Sequence, residues 1–254
     1  RDLVRSRGLG DVYKRQQLSS NMRYMNRFTY MSGNPDLKPE TIHDLTLSGS
    51  YKWLQFMISY QREKDAILYI TEQYKKNPAI TTVTHRNFNR IDNFSAFLTA
   101  SPAVGSWHPQ LTVGVQKQWA KIEHNGETLQ MDTPLFFCTL NNGIQLPYHW
   151  TLSTDINFQS KGDYQNIYMY QNVFMMNATL TKSFLNEHLS IHLQGIDLTH
   201  GRKDGNRIYN KHMNMDVANV SDSRELRFTI RYKFNTAKSK YKGKGAATEE
   251  IKRL

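Results

Sequence analysis

Apolar and polar residues alternate with period two along much of this chain. In RELRFTIRYKF, Leu226, Phe228, Ile230, Tyr232 and Phe234 alternate with Arg227, Thr229, Arg231 and Lys233. An extended backbone then carries one apolar face and one polar face. Trp150, Leu152, Ile156 and Phe158 oppose Ser153, Asp155, Asn157 and Gln159 in the same way. Leu54, Phe56, Ile58 and Tyr60 share one face, and Leu45, Leu47 and Tyr51 oppose Asp44, Thr46, Ser48 and Ser50. Leu189, Ile191 and Leu193 oppose Ser190, His192 and Gln194. Less regular candidates are QLTVGVQKQW, where Lys117 interrupts the apolar face, TPLFFCTLNNGIQL, VFMMNATLTKSF and NFSAFLTAS. Together these predict an all-β chain of about nine antiparallel strands, many near the ~10 residues that a tilted membrane-crossing strand needs.

The connections sort by parity. Short ones fall at Tyr51-Lys52-Trp53, Leu146 to Trp150 and Leu185 to His188, with SPAVGSWHP somewhat longer. Long polar ones fall around residues 65–81, 124–132, 160–168 and 201–223. Strict alternation of short and long connections is expected of an up-and-down barrel whose rims face different compartments. Tyr51, Trp53, Trp107, Tyr148 and Trp150 lie beside the short-connection rim, with Phe184, Tyr232 and Phe234. Rings that are apolar at one end and wet at the other suit a membrane–water interface, so these form a candidate aromatic belt. A soluble β-sandwich also alternates, but its strands are usually shorter and its turns are not expected to sort by parity. A polar inner face implies a wet or plugged lumen.

Composition agrees. The chain has 254 residues, 39% hydrophobic, with 14 Tyr, 12 Phe and 4 Trp, a mixture that favours strands. The longest apolar run, Ala66 to Ile70, is far shorter than the ~20 residues of a membrane helix. Of the net charge of +11, residues 1–16 carry +3 and residues 235–254 carry +4, leaving +4 for the body. A nucleic-acid binder would want its basic face on the folded domain, so no nucleic-acid partner is expected. Cys138, the only cysteine, reads as a small apolar strand residue.

Two stretches carry a family resemblance. GNPDLKPET resembles the signature that precedes a barrel strand in TonB-dependent outer-membrane receptors, through Gly33, Asn34, Pro35, Leu37, Lys38, Pro39 and Glu40. The C-terminal RYKFNTAKSKYKGKGAATEEIKRL resembles the tail of Bacteroidetes-type outer-membrane β-barrel proteins of that superfamily. Physically, Pro35 and Pro39 fix φ and donate nothing to a sheet, so the signature reads as a rigid polar turn on the long-loop rim that terminates pairing before the first barrel strand. The resemblance implies that Phe228, Ile230, Tyr232 and Phe234 form the strand read by the barrel-assembly machinery. It also implies an outer-membrane location, a barrel of roughly 22 strands, and uptake of a scarce nutrient such as a glycan, metal chelate or peptide. About nine strands, with neither plug nor energy-coupling box, imply an incomplete C-terminal part of such a barrel at residues 17–234. A basic periplasmic tail follows at 235–254. The implied partners are outer-membrane lipid, the assembly machinery, a TonB-type energy-coupling complex acting through a missing plug, and a surface lipoprotein.

No catalytic motif appears, so no enzyme activity and no cofactor are expected. His188 and His192 would share a strand face, while His124, His200 and His212 lie in or beside long loops; their spacing does not demand a metal. Asp163, Asp204 and Asp216, with Asn neighbours, read as solvated loop residues ahead of calcium ligands. The alternatives are an outer-membrane barrel without active transport, as an enzyme or in adhesion or assembly, and a soluble basic β protein that binds nucleic acid.

SRGLGDVYKRQ (Ser6 to Gln16) fits none of this. It lacks strand alternation, and Gly8-Leu9-Gly10 lacks the third glycine of a dinucleotide loop. Read back into codons, it resembles the adapter joined to DNA fragments in transposase-based sequencing-library preparation. Residues 1–16 are therefore expected to be adapter-derived, not part of the native protein.

Overall fold

A computed structural model of the chain describes residues 17–124, 126–211, 214–220 and 222–234. The segment read as adapter-derived and the basic tail lie outside the described residues.

Nine long strands carry the alternating pattern: β3 (Thr41–Tyr51), β4 (Leu54–Gln73), β5 (Thr81–Ala100), β6 (Trp107–His124), β8 (Leu135–Leu146), β9 (Trp150–Gln159), β12 (Val173–Phe184), β13 (Leu189–Ile196) and β16 (Glu225–Tyr232). They pair antiparallel with their neighbours in that order. The sheet is extended by β1 (Met22–Asn26), β2 (Thr29–Ser32) and β7 (Glu127–Met131), giving twelve strands. Among the described residues β3 and β16 do not pair, so the sheet is not closed.

Register carries the period-two pattern across the whole sheet. Leu47 stands opposite Ile58, Ile58 opposite Ala96, Ala96 opposite Val115 and Val115 opposite Phe136. At the other end Ile156 stands opposite Met176, Leu180 opposite Leu193 and Leu193 opposite Phe228. Cross-strand neighbours share a face, so one continuous apolar surface runs from β3 to β16. Its side chains are exposed or half-buried, Leu45 and Phe228 exposed by more than three-fifths. The opposite face is polar: Thr46 bonds Ser59, Thr139 bonds Asn157, and Thr99 bonds Thr112.

The long connections are not loops in the sense expected. β4 and β5 run on through most of 65–81, leaving only Tyr74 to Ile80 as their turn. The connection around 124–132 contains β7. The last two contain β10 (Gly162–Tyr164), β11 (Ile167–Met169), β14 (Lys203–Tyr209) and β15 (Asn214–Val220), which pair as a separate four-stranded sheet. The signature turn lies between β2 and β3, and the chain before it pairs as well: the β1–β2 hairpin precedes it, and β2 pairs parallel with the start of β5.

The buried core lies between the two sheets. Ala66, Leu68, Ile91, Ala120, Ile122 and Met131 form one cluster, with Phe88, Leu129, Tyr168 and Tyr209 packed against it. In lower β4 the even-numbered residues Phe56 and Ile58 are on the exposed apolar face, yet Ala66 and Leu68 are buried. The switch falls at Asp65, whose φ is 52° and which drops out of the β4–β5 register between Lys64 and Ala66. A left-handed residue breaks strand alternation, so the apolar parity turns inward above it.

Candidate functional site

Three buried amide side chains hold the small sheet across the polar face. Gln118 donates to the Gln165 carbonyl at 2.8 Å and accepts from the Gln165 amide at 2.6 Å. Asn166 donates to the carbonyls of Tyr69 (2.8 Å) and Tyr209 (3.2 Å). Asn210 accepts from the Thr71 amide at 2.7 Å and donates to the Thr71 hydroxyl. Tyr69 and Thr71 lie beyond Lys64, where β3 stops pairing with β4. Backbone groups on that open edge need partners once buried, and the amides supply them. His124 Nδ1–H donates to the Asn210 carbonyl at 2.5 Å, and Asp163 accepts from the Thr133 amide at 2.8 Å. Gln165 meets Gln118, so the small sheet packs on the polar face, which in a barrel with a lipid-facing apolar surface is the lumen side.

The clamp leaves two spaces. A cleft of about 950 Å³ lies among upper β4, upper β5, the β6–β7 hairpin and Asn210–Lys211. Four of its charges face one another in pairs, Arg86 with Glu72 at 2.8 Å and Lys211 with Glu123 at 3.1 Å; Lys121 adds a cation at the rim, and Thr71, Asn89 and Asn210 add neutral polar groups. Below the β10–β11 turn a hollow of about 170 Å³ is bounded by Ser59, Gln61, Glu63, Gln116 and Gln165. This arrangement presents hydrogen-bond donors and acceptors to a hydrophilic solute, with aromatic carbons from Phe88 at one wall. On the lumen face lower down, Phe97 and Phe137 approach at 6.1 Å across Gly114, where a Cβ would lie 2.2 Å from the Phe97 ring.

Loop carboxylates are tied locally. Asp197 is pulled up by burial, but the Ser223 hydroxyl and the amides of Gly201 and Arg202 outweigh this and hold it below the usual carboxylate range. Burial raises Asp163 above that range. Arg207 grips Asp216 with two bonds of 2.7 and 2.9 Å, lowering Asp216 and raising Arg207. The oxygens considered for calcium at Asp163 and Asp216 are thus used on protein donors. On the lumen face His192 bonds Thr181 and Ser190 at 3.0 and 2.9 Å. Cys138 stands half-buried opposite Val113 and Phe158.

The signature turn sits on the far side of upper β4–β5 from the small sheet. Asn34 donates to the His85 carbonyl at 3.0 Å and accepts from the Asp36 amide at 3.0 Å. Asn87 accepts from the Lys38 amide at 2.8 Å and donates to the carbonyls of Lys38 and Asp65 at 3.0 and 2.7 Å. His85 and Asn87 register with Tyr69 and Ile67, one residue out of phase with core Ala66 and Leu68. Gly33 to Glu40 therefore strap the outer face, away from the cleft. Tyr51, Trp53, Trp107, Tyr148 and Trp150 are all exposed at the short-turn rim. There Trp107 donates to Asn142 at 3.2 Å, and Lys182 lies over the Trp150 ring at 5.2 Å. Phe228, Ile230 and Tyr232 are exposed on edge strand β16, and Phe234 lies 4.7 Å from Tyr232 just past its end.

Of the residues around the clamp, the sequence points only to His124 and Asp163, as loop residues, and to none of the three clamping amides. The signal available was weak: Gln165-Asn166 and Asn210 are amides at the tips of long connections, among many other Asn and Gln.

The model of the outer membrane protein beta-barrel family matches residues 14–232. No curated protein matches the sequence. Among solved structures, the outer membrane transporter YddB from Escherichia coli is similar at 11% identity and a TM-score of 0.44. That similarity covers 82% of this chain and only 34% of the transporter's length.

Proposed function

Because this chain belongs to the outer membrane protein beta-barrel family and resides in the outer membrane, we propose that it is barrel wall of a TonB-dependent receptor for a scarce hydrophilic nutrient. One observation carries the reading: a polar lumen face over which a folded-in sheet is clamped by Gln118, Asn166 and Asn210, leaving a polar cleft of about 950 Å³. A passive pore needs an open lumen, whereas a receptor needs loops ordered enough to hold a ligand. The apolar face meets membrane lipid, and the strand carrying Phe228, Ile230, Tyr232 and Phe234 is read by the barrel-assembly machinery. Energy comes from a TonB-type complex acting through a plug, and a surface lipoprotein hands over the ligand. Binding and release do the work, without covalent chemistry. The nutrient class is a glycan, peptide or metal chelate.

The test is genetic. A strain lacking the gene, and a strain lacking energy coupling, are grown on a panel of limiting glycans, peptides and metal chelates. The reading expects the same nutrient defect in both strains, with no further loss in the double mutant. A nutrient defect that persists unchanged without energy coupling overturns active transport.

A further inference from the structure

Above the exposed apolar surface of β4, β5 and β6, the same face turns basic. Arg62 stands opposite Asp92, and Asp92 opposite Trp119. Lys64 stands opposite Arg90, Phe94 opposite Lys117, and Lys121 opposite Gln130. Arg62 and Lys64 follow Tyr60 at intervals of two, Arg90 and Asp92 precede Phe94 at the same interval, and Lys117 follows Val115. All share the outward face with the apolar band.

One carboxylate organises the centre of this patch. Asp92 accepts from Arg62 at 2.9 Å, from Arg90 at 2.5 Å and from the Tyr60 hydroxyl at 2.7 Å. Lys117 lies 5.4 Å from the Trp119 ring centroid. Among the described residues none of Lys64, Lys117 and Lys121 forms an ion pair. A hollow of about 350 Å³ opens between Arg90, Asp92, Trp119, Lys121, Gln130 and Asp132. Five cations thus surround two carboxylates on a few neighbouring strands. Strand spacing of ~4.8 Å and residue rise of ~3.3 Å place them within roughly 20 Å of one another.

Directly below is an apolar groove of about 430 Å³. Its floor is Ala96 and Val115, which stand opposite each other between Ile58 and Phe136. Its walls are Phe56, Leu98 and Val113. Ala96 is four residues from Asp92, about 13 Å along β5.

We propose that this outward face is a binding site for a phosphate-bearing lipid of the surrounding leaflet. The phosphate lies among Arg62, Arg90, Lys117 and Lys121, and an acyl chain lies along the Ala96 groove. Charge complementarity and the adjoining groove argue for this occupant: a free anion has no use for the groove, and a neutral lipid no use for the cations. A cation near a membrane surface strengthens an anionic headgroup contact by about five-fold. The inference depends on the outer-membrane location alone and stands whether or not the cleft takes up a nutrient.

The experiment uses intact protein extracted from outer membranes, with native mass spectrometry titrating a phosphorylated glycolipid, its dephosphorylated counterpart and inorganic phosphate. The phosphorylated lipid should bind at least ten-fold more tightly than its dephosphorylated form. Lys117→Gln with Lys121→Gln should weaken it about twenty-fold, and Ala96→Phe should weaken lipid without altering phosphate binding. Heat-modifiable migration checks that each variant is folded. Equal affinity for both lipids, or full displacement of lipid by millimolar inorganic phosphate, overturns the proposal. So does unchanged lipid binding by the folded double variant.

Discussion

Lower and upper β4 put the same kind of residue to opposite use. Ile58 is 41% exposed on the outer surface, whereas Leu68, ten residues on and of the same parity, is 2% exposed. As far as Tyr60 the sheet has an apolar outside and a polar inside; above Asp65 it has a buried apolar core facing a second sheet. The medium accounts for the contrast. Lipid accepts apolar side chains directly, so lower β4 needs no core. Above the bilayer the same side chains meet water, and burial against Tyr168, Tyr209 and Met131 becomes favourable. One left-handed residue, Asp65, changes the direction without changing the parity.

The largest effect tests the upper half. Leu68→Ala should cost about 2–5 kcal/mol of loop-sheet stability through the cavity left between the sheets. Limited proteolysis should then cut within 197–211, while heat-modifiable barrel migration stays unchanged. Protection equal to the unsubstituted protein would mean that the small sheet does not depend on this core. The lower half calls for the reverse chemistry. Ile58→Arg should cost about 2–4 kcal/mol in urea unfolding from vesicles if Ile58 lies near the bilayer midplane. Ser59→Arg, one residue on and facing the lumen, should change little. Equal costs at the two positions would remove the distinction between lipid and lumen faces.

A smaller effect separates the clamp from the core. Asn210→Ala leaves the Thr71 amide buried without its acceptor, which should cost about 1–3 kcal/mol. Hydrogen exchange should rise at Thr71 and across β14, with the Leu68 cluster still protected. Loss of protection throughout the upper half would show that clamp and core open as one unit.

This contrast also explains what the sequence made legible. Lipid on one side and water on the other impose strict alternation, so all nine long strands could be read from patterns such as Leu226 to Phe234 and Trp150 to Phe158. Upper β4 escapes that reading because both of its faces are partly covered. Ala66 and Leu68 enter the core while Tyr69 stacks on His85 at 4.3 Å, so the run looks like an unpatterned loop. The flip at Asp65 depends on a backbone angle that no period reveals. The clamp joins Thr71 to Asn210 across 139 positions and Gln118 to Gln165 across 47, separations that leave no local pattern. Lys117 was visible only as an interruption of an apolar face; the register gives it cationic company.

The smallest effect concerns the outer strap, where the comparison can be sharpened by pH. His85 is buried beneath the signature turn, and neither ring nitrogen has a hydrogen-bond partner. Burial disfavours the imidazolium and holds its pKa below the ordinary value. The open state therefore binds a proton more readily than the closed one. Strap stability is highest where His85 is neutral in both states, above about pH 6.5. It falls as pH drops through that value toward the lower folded pKa, and levels off below it. Hydrogen exchange of 33–40 and 81–88 should accelerate between pH 7.5 and 5 beyond the intrinsic pH dependence of exchange. In His85→Phe, which keeps a ring against Tyr69 and has no titrating nitrogen, that added acceleration should vanish. An identical pH dependence in the Phe variant would assign the effect to another group. A response shared with the Leu68 cluster would show that strap and core, on opposite faces of the same two strands, open together.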